Sequence, residues 1–462
     1  MSRLSYLEHF NEGADMMKIT RILIVIVLAV ITAYGWVSYV GGKSSKLIEY
    51  NRNINQAQQW YKEGLYQRAI QKYELAIEYN NSEDNWDSMF AAYDARFKED
   101  DKIYTEYVDA LTEAIRIFPD NANYVEQLVD LYIVKDQYQS AFDLIIQSEK
   151  NGVTNPNLER QKLFCGYQYR FSGYVYQSFL PYSGDFYSVI INDLYSSAQL
   201  NGSSGDLKDL VYLSRYNDDG VYVQTDDSGS RLIDGEGVVL GIFEDLVLEC
   251  GLFSEDLLPV LSDGSYSYFD SFAKKQFGNY EQAGSFQDGR AAVKQDGLWG
   301  IIDKSGEFVS DDRYSDILLD RNGYYLYDGI IVAAKDNSYT FYNSEWKTIS
   351  DFSCNSIDIY SGTDIFAFEK DGKWGFVTSK GDVVIEPQYD CAKSFSNGVA
   401  AVQLVDKWGF INEDNQVVID FIFEDADYFN KEDSCMVLVR ESKDGEEDKL
   451  VWKTIIWTVN RD

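Results

Sequence analysis

One stretch of about twenty residues recurs along the second half of this chain, and its recurrence constrains the fold more than any bulk property. It first reads Phe286-Gln-Asp-Gly289-Arg-Ala-Ala-Val293-Lys-Gln-Asp-Gly297-Leu-Trp299-Gly300-Ile-Ile-Asp303. It returns as Ile365-Phe-Ala-Phe-Glu-Lys-Asp-Gly372-Lys-Trp374-Gly375-Phe-Val, and again as Phe395-Ser-Asn-Gly398-Val-Ala-Ala-Val402-Gln-Leu-Val-Asp-Lys-Trp408-Gly409-Phe-Ile-Asn412. Each copy is an alternating apolar strand, an Asp-Gly or Asp-Lys turn and a second strand that opens on Trp-Gly. A further strand follows in places, as in Val383-Val384-Ile385-Glu-Pro387. Alternation with turn signals every 8 to 12 residues is the pattern of an all-β array, and a fixed internal period means that each unit buries its apolar face against its neighbours.

These three copies resemble the WG-repeat family of bacterial surface and secreted proteins. Weaker copies extend the array where the pair drifts to Tyr266-Ser267, Tyr339-Thr340, Tyr222-Val223 and Trp452-Lys453. The spacings of the seven pairs are then 44, 33, 40, 35, 34 and 44 residues. The resemblance implies a β-propeller-like scaffold over residues 171–462, with an open β-solenoid as the other closure, and an interaction role. It carries over no catalytic residue. In each unit the Trp is expected to pack on its neighbour, and the Gly to let another backbone pass close behind it.

Residues 47–150 carry a different period. Trp60-Tyr61-Lys-Glu-Gly64-Leu65-Tyr66-Gln-Arg-Ala69-Ile70-Gln-Lys-Tyr73-Glu-Leu-Ala76-Ile77 places small residues at Gly64, Ala69 and Ala76 and large ones between them. That is the arrangement by which two antiparallel helices approach closely. Ala114 to Asn121 and Leu131 to Ala141 repeat the phase, interrupted by the insertion Lys98-Glu-Asp-Asp-Lys102. The segment resembles tetratricopeptide units, which implies either a binding groove or a spacer, and three units are about the minimum for a stacked array. Residues 151–170 read as a linker.

Residues 22–42 contain no charge and open on a run of aliphatic residues. At about 1.5 Å per residue, such a helix crosses a hydrocarbon core of about 30 Å. Lys18 and Arg21 flank one side and Lys43 and Lys46 the other, with Tyr34, Trp36 and Tyr39 at belt positions. The segment reads as a single-pass transmembrane helix behind a short tail, 1–21. A cleaved signal peptide is the competing reading, with Ala33-Tyr34-Gly35 as a poor cleavage site. The basic flanks tie, so orientation rests on the long region behind an early span, which places residues after Lys43 outside the cytoplasmic membrane, at the bacterial cell surface. The fold class expected overall is α+β multidomain: anchor, helical repeats, then the WG array.

Charge and residue usage narrow the chemistry. The net charge is −35, and only Glu8, Glu12 and Asp15 among the acidic residues precede Lys46, so nearly all of it lies in the repeats. Such a field disfavours nucleic acid and steers basic partners instead. The lone histidine, His9, sits in the tail, which removes His-dependent catalysis and metal binding from the rest. Five scattered cysteines with no CxxC exclude a disulfide scaffold and a thiolate zinc site. Asn217-Asp-Asp-Gly220, Asp226-Asp-Ser-Gly229 and Asp311-Asp312 lack the calcium-loop pattern and suit tight turns. Thirty-six tyrosines invite a carbohydrate-stacking reading, but their alternation suits the buried face of a sheet. No cofactor and no catalytic residue are expected. The sequence supports a non-enzymatic scaffold for a protein or cell-envelope partner, with a glycan-binding or carboxylate-dependent hydrolytic propeller as the alternative.

Overall fold

The computed structural model describes residues 5–442 and 448–461; for residues 5–23, 34, 35, 37–42 and 44 of the first helix it describes the backbone only. The chain divides into two compact units, Met1–Lys162 and Leu163–Asp462.

The first unit is helical: α1 Ser5–Lys62, α2 Tyr66–Ile77, α3 Glu83–Glu99, α4 Tyr104–Ile117, α5 Ala122–Val134, α6 Tyr138–Lys150 and α7 Pro156–Gly166, whose last four residues enter the second unit. One continuous apolar core joins α1 to α5, from Ala57 and Ala69 through Ile70, Tyr73, Phe90 and Tyr107 to Leu128. Ala69 and Ala76 are fully buried, as close helix approach requires. Gly64 does something else: a Cβ there would meet open space, and its φ of +76° marks it as the left-handed turn between α1 and α2. Tyr61 is exposed rather than buried between the helices, and meets the Tyr66 ring at the start of α2 edge-on at 5.6 Å. The Lys98–Lys102 insertion ends α3 and forms a 3-10 turn, Asp101–Ile103, with the Asp100 carboxylate accepting from the Lys102 amide at 3.2 Å. The segment expected as a linker holds α7 and the start of the first strand.

Ile24 to Ala33 and Trp36 are exposed along α1. No helix among the described residues is long and apolar enough to cross a membrane, and the 22–42 segment falls in part outside those residues.

The second unit consists of antiparallel sheets, eight among the described residues. In chain order sheet I holds Ser178–Phe179, Phe186–Ile191 and Leu194–Gln199. Sheet II holds Tyr212–Leu213, Tyr222–Asp226, Gly229–Ile233 and Val239–Ile242. Sheet III holds Leu257–Ser262, Ser265–Asp270 and Lys275–Tyr280, and sheet IV Gln282–Ala283, Arg290–Gln295 and Leu298–Asp303. Sheet V holds Asp316–Ile317, Ile330–Lys335 and Ser338–Asn343, and sheet VI Ser356–Ile357, Ile365–Lys370, Lys373–Thr378 and Val383–Tyr389. Sheet VII holds Cys391–Ala392, Val399–Leu404, Lys407–Asn412 and Val417–Phe423. Sheet VIII is built from both ends of the unit: Asp425–Ala426, Ser434–Glu441 and Lys449–Trp457 are completed by Tyr169–Phe171, which pairs with the last strand.

A separate apolar cluster fills each junction between consecutive sheets: I with II, II with III, and so on to VII with VIII. Tyr187, Val189, Met436 and Trp452 then join sheet VIII to sheet I. The cores form a closed cycle, which an open solenoid would break between its first and last sheets.

Strand register corrects the count of units. Trp299, Trp374 and Trp408 sit opposite Lys294, Glu369 and Gln403 in matching positions, as do Tyr339 in sheet V and Trp452 in sheet VIII. In sheet II that position is Ser230, whereas Tyr222 lies one strand earlier, opposite Ile233. In sheet I it is Tyr195, which the sequence pattern does not mark.

Candidate functional sites

Short inner strands end in loops that carry side chains past their own sheet, and those loops build a polar cluster across the β unit. Arg321, from the sheet V loop, pairs through Nη2 with Asp427 Oδ1 of sheet VIII at 2.5 Å. Its guanidinium also lies over the rings of Tyr428, Tyr182 and Tyr360, at 4.4, 4.9 and 5.5 Å from their centres. Nε and Nη1 of Arg321 are buried without a hydrogen-bond partner, and the three π faces are what they meet instead. The Tyr182 and Tyr360 hydroxyls hydrogen-bond to each other, linking sheets I and VI. Lys393 Nζ stands 3.8 Å from Asp427. The Arg321–Asp427 and Tyr182–Tyr360 contacts each join sheets three places apart, so they span the interior of the ring.

The carboxylates of this cluster are engaged. Asp358 accepts from the Tyr428 hydroxyl and from the Ser394 amide at 2.6 Å, and burial pushes its carboxyl above the ordinary range. Asp320 accepts from the Ser361 hydroxyl at 2.7 Å and from the Asn322 and Tyr324 amides at 2.8 Å. Burial lowers the pKa of Arg215, whose neighbours in the electrostatic sense include Arg321 and Asp320. Asp358 and Asp320 are held by hydroxyls and amides, while Asp427 uses Oδ1 for Arg321 and Lys393 and keeps a buried Oδ2 without a hydrogen-bond partner. The cluster links loops across the ring, and a buried ion pair is by itself weak evidence of stabilisation.

The second candidate is a groove of about 380 Å³ in the helical unit. Asp87 and Asp94 of α3 and Glu126 and Asp130 of α5 line it over Phe90 and Ala91, and no lysine or arginine does. Burial, then the charges of Glu126 and Asp94, raise the Asp130 carboxyl. Amides blunt the repulsion: Asn155 and Asn157 donate to Glu126 at 3.0 and 2.7 Å, and Gln161 donates to Asp130 at 2.6 Å. Tyr107 donates to Asp94 at 2.5 Å.

The residues singled out by the repeats lie at neither place. Trp299 and Trp408 are buried at the IV–V and VII–VIII junctions and Trp374 is half-buried at VI–VII. Gly375 and Gly409 each face a crossing backbone: an added Cβ would stand 2.5 Å from Ile385 O and 2.6 Å from Ile419 O. At Gly300 it would meet the Phe308 ring at 2.8 Å. The acidic loops are turns; Asp226 Oδ1, for one, accepts from the Ser228 amide at 2.9 Å. Among the described residues no cluster of three metal-binding side chains occurs. Arg321 and Asp427, 106 residues apart, carry no local signal, because only ring closure brings their loops together.

A family model agrees with the WG reading of part of the β unit. Residues 278–299, 374–408 and 408–441 match the family model described as WG containing repeat. No match was found among curated proteins. Among solved structures the chain is similar to Kluyveromyces lactis Hsv2p, at 10% identity and a TM-score of 0.35 over 60% of this chain and 96% of that one. It is also similar to the AfRom2 CNH domain, at 12% and 0.33 over 53% and 94%, and to the WD40 domain of SCAP from fission yeast, at 9% and 0.28 over 63% and 87%.

Proposed function

We propose that this chain is a membrane-anchored, non-enzymatic scaffold in which a tetratricopeptide-like helical unit and an eight-bladed WG propeller present surfaces to a basic protein partner of the cell envelope. The observation that carries it is the groove between α3 and α5, where four carboxylates surround an aromatic floor and no cation lines the wall. A lysine- or arginine-bearing segment would relieve that repulsion, and the net charge of −35 would steer it in. Support for the absence of chemistry comes from the ring interior, where Asp320 and Asp358 accept from hydroxyls and amides and Asp427 Oδ1 is paired with Arg321. The uncharged 22–42 segment supports the anchor, with the repeats outside the membrane.

The test is titration of the full chain in detergent with lysine-rich and glutamate-rich peptides. Binding of the lysine-rich peptide is expected to weaken as salt rises and to fall about tenfold when Glu126→Gln and Asp130→Asn are combined. Equal binding of both peptides overturns the groove reading. Turnover of a glycan or peptide that is abolished by changing one carboxylate overturns the non-enzymatic one.

A further inference from the structure

The outer strand of sheet II is an edge without charge or proline. Val239–Ile242 pairs with Gly229–Ile233 on one side, with a register shift between Gly241 and Val239 like that in sheets VI and VII, and with no strand among the described residues on the other. Proteins blunt such edges with charge or proline, since the open row of amides and carbonyls invites another strand. The matching outer strands here obey that rule: sheet III carries Lys275, sheet VI carries Glu386 and Pro387, and sheet VII carries Asp420. Register makes the comparison direct. Ile385 and Ile419 pair where Gly241 does, so Glu386 and Asp420 occupy the place of Ile242, and Lys275 occupies the place of Val239. Sheet II alone among the four has no charge at either position.

The surface around that edge is apolar as well. Ile242, Leu246 and Phe272 are each at least 60% exposed, and Val238, Val239 and Leu248 lie in the same stretch with about half of their surface open. Gly241 keeps the patch continuous, for an added Cβ would strike the Phe272 backbone at 2.4 Å. Beside it opens a cavity of about 370 Å³ floored by Phe243, Val247, Val260 and Phe269, with Glu244, Asp245, Asp263, Lys274 and Lys275 at its mouth. Lys274 is already paired with Glu244 at 3.5 Å, whereas Asp245 and Asp263 have no ion pair among the described residues. Contiguous exposed apolar surface next to an open edge marks a contact site.

We infer that Val239–Ile242 accepts an added β-strand from a partner protein, a segment with alternating apolar residues and basic flanks, whose apolar side chains reach the neighbouring cavity. Main-chain hydrogen bonds along the edge supply affinity and the pockets for alternate side chains supply selectivity. The charge decides between occupants: a second copy of this chain brings another −35, while a basic segment meets the acidic surface favourably. This rests on the scaffold reading and names one of its surfaces.

A short labelled peptide alternating valine and threonine between lysine pairs, added to the full chain in detergent, tests it. Binding is expected, with hydrogen-exchange protection at residues 239–242. It should drop about tenfold or more with Ile242→Glu, which restores the charge found in sheets VI and VII, and with a peptide of the same charge interrupted by proline. Because Ile242 is exposed, the variant should melt with the parent; Val239→Lys is the second variant should it not. Equal binding of the proline peptide, or of the Ile242→Glu chain, would mean charge attraction elsewhere and sinks strand addition. So does self-association of the chain that Ile242→Glu disperses, which would make a second copy the occupant. If peptide binding is lost with the Glu126 and Asp130 substitutions but not with Ile242→Glu, the scaffold survives and the edge proposal falls.

Discussion

Sheets VII and II share one strand plan and fill its central position differently. In sheet VII the third strand opens on Trp408-Gly409; in sheet II it opens, in the same register, on Ser230-Arg231. Trp408 is buried and joins the apolar junction with sheet VIII. Ser230 is also buried, but its hydroxyl is bonded to Thr225 Oγ1 and to the Val247 amide, both at 2.8 Å, and Thr225 donates onward to Val247 O at 2.7 Å. One place in the fold is held by ring packing in the first case and by a closed hydroxyl network in the second. The outer strand explains the residue that follows. In sheet VII the register between Trp408 and Phe410 is broken by a bulge, which brings Ile419 O onto the space a Cβ at 409 would need. In sheet II, Arg231 and Leu232 pair in unbroken register with Ile242 and Gly241, so a side chain fits and Arg231 uses the room to pair with Asp226. Sheet III shows the third solution: its bulge is kept, Ser267 stands in the glycine place, and Gly278 on the outer strand gives way instead. In sheets VI and VII the Trp-Gly pair thus goes with a bulged outer strand, while in sheet IV Gly300 makes room for the Phe308 ring instead.

The largest effect that would break this comparison is Trp408→Ala, expected to cost about 3–5 kcal/mol in chemical denaturation, as emptying a large aromatic site does. A loss of only a few tenths would mean that the junction is held elsewhere. Gly409→Ala comes next, at about 1–3 kcal/mol, because the obstacle is backbone and can move only by shifting the bulge. Smallest is Arg231→Ala, which should shift the melting temperature least, since no crossing backbone and only one partly exposed ion pair are involved. Were Gly409→Ala silent and Arg231→Ala damaging, the bulge account would be inverted.

How far the pattern could be read follows from the same contrast. Sheets IV, VI and VII are plain because Trp-Gly is rare by chance, whereas sheet III keeps the bulge under Tyr266-Ser267 and is legible only as a weaker copy. Sheet I is silent in the sequence because Tyr195-Ser196 preserves the packing without either letter of the signature, and sheet II is misaligned on Tyr222 because the fold uses Ser230 where the repeat has an aromatic. In the helical unit Ala69 and Ala76 announced their burial through spacing, while Gly64, at the same spacing, turned out to serve a turn; period alone does not separate a close contact from a left-handed φ.

What the sequence determined by itself was local and periodic: two units of different period, the strand-turn-strand repeat, the acidic field and the lack of histidine in the repeats. Periodicity is written into consecutive residues, so it survives without any knowledge of which surfaces meet. The tertiary structure alone decided that eight sheets close on each other, that Tyr169–Phe171 completes the last of them, and that Arg321 reaches Asp427 across the ring. It also decided that the outer edge of sheet II is bare where its counterparts are charged. Each of these depends on residues far apart in the chain meeting at a fixed register, and register is set by the packing of the whole ring rather than by any one stretch within it.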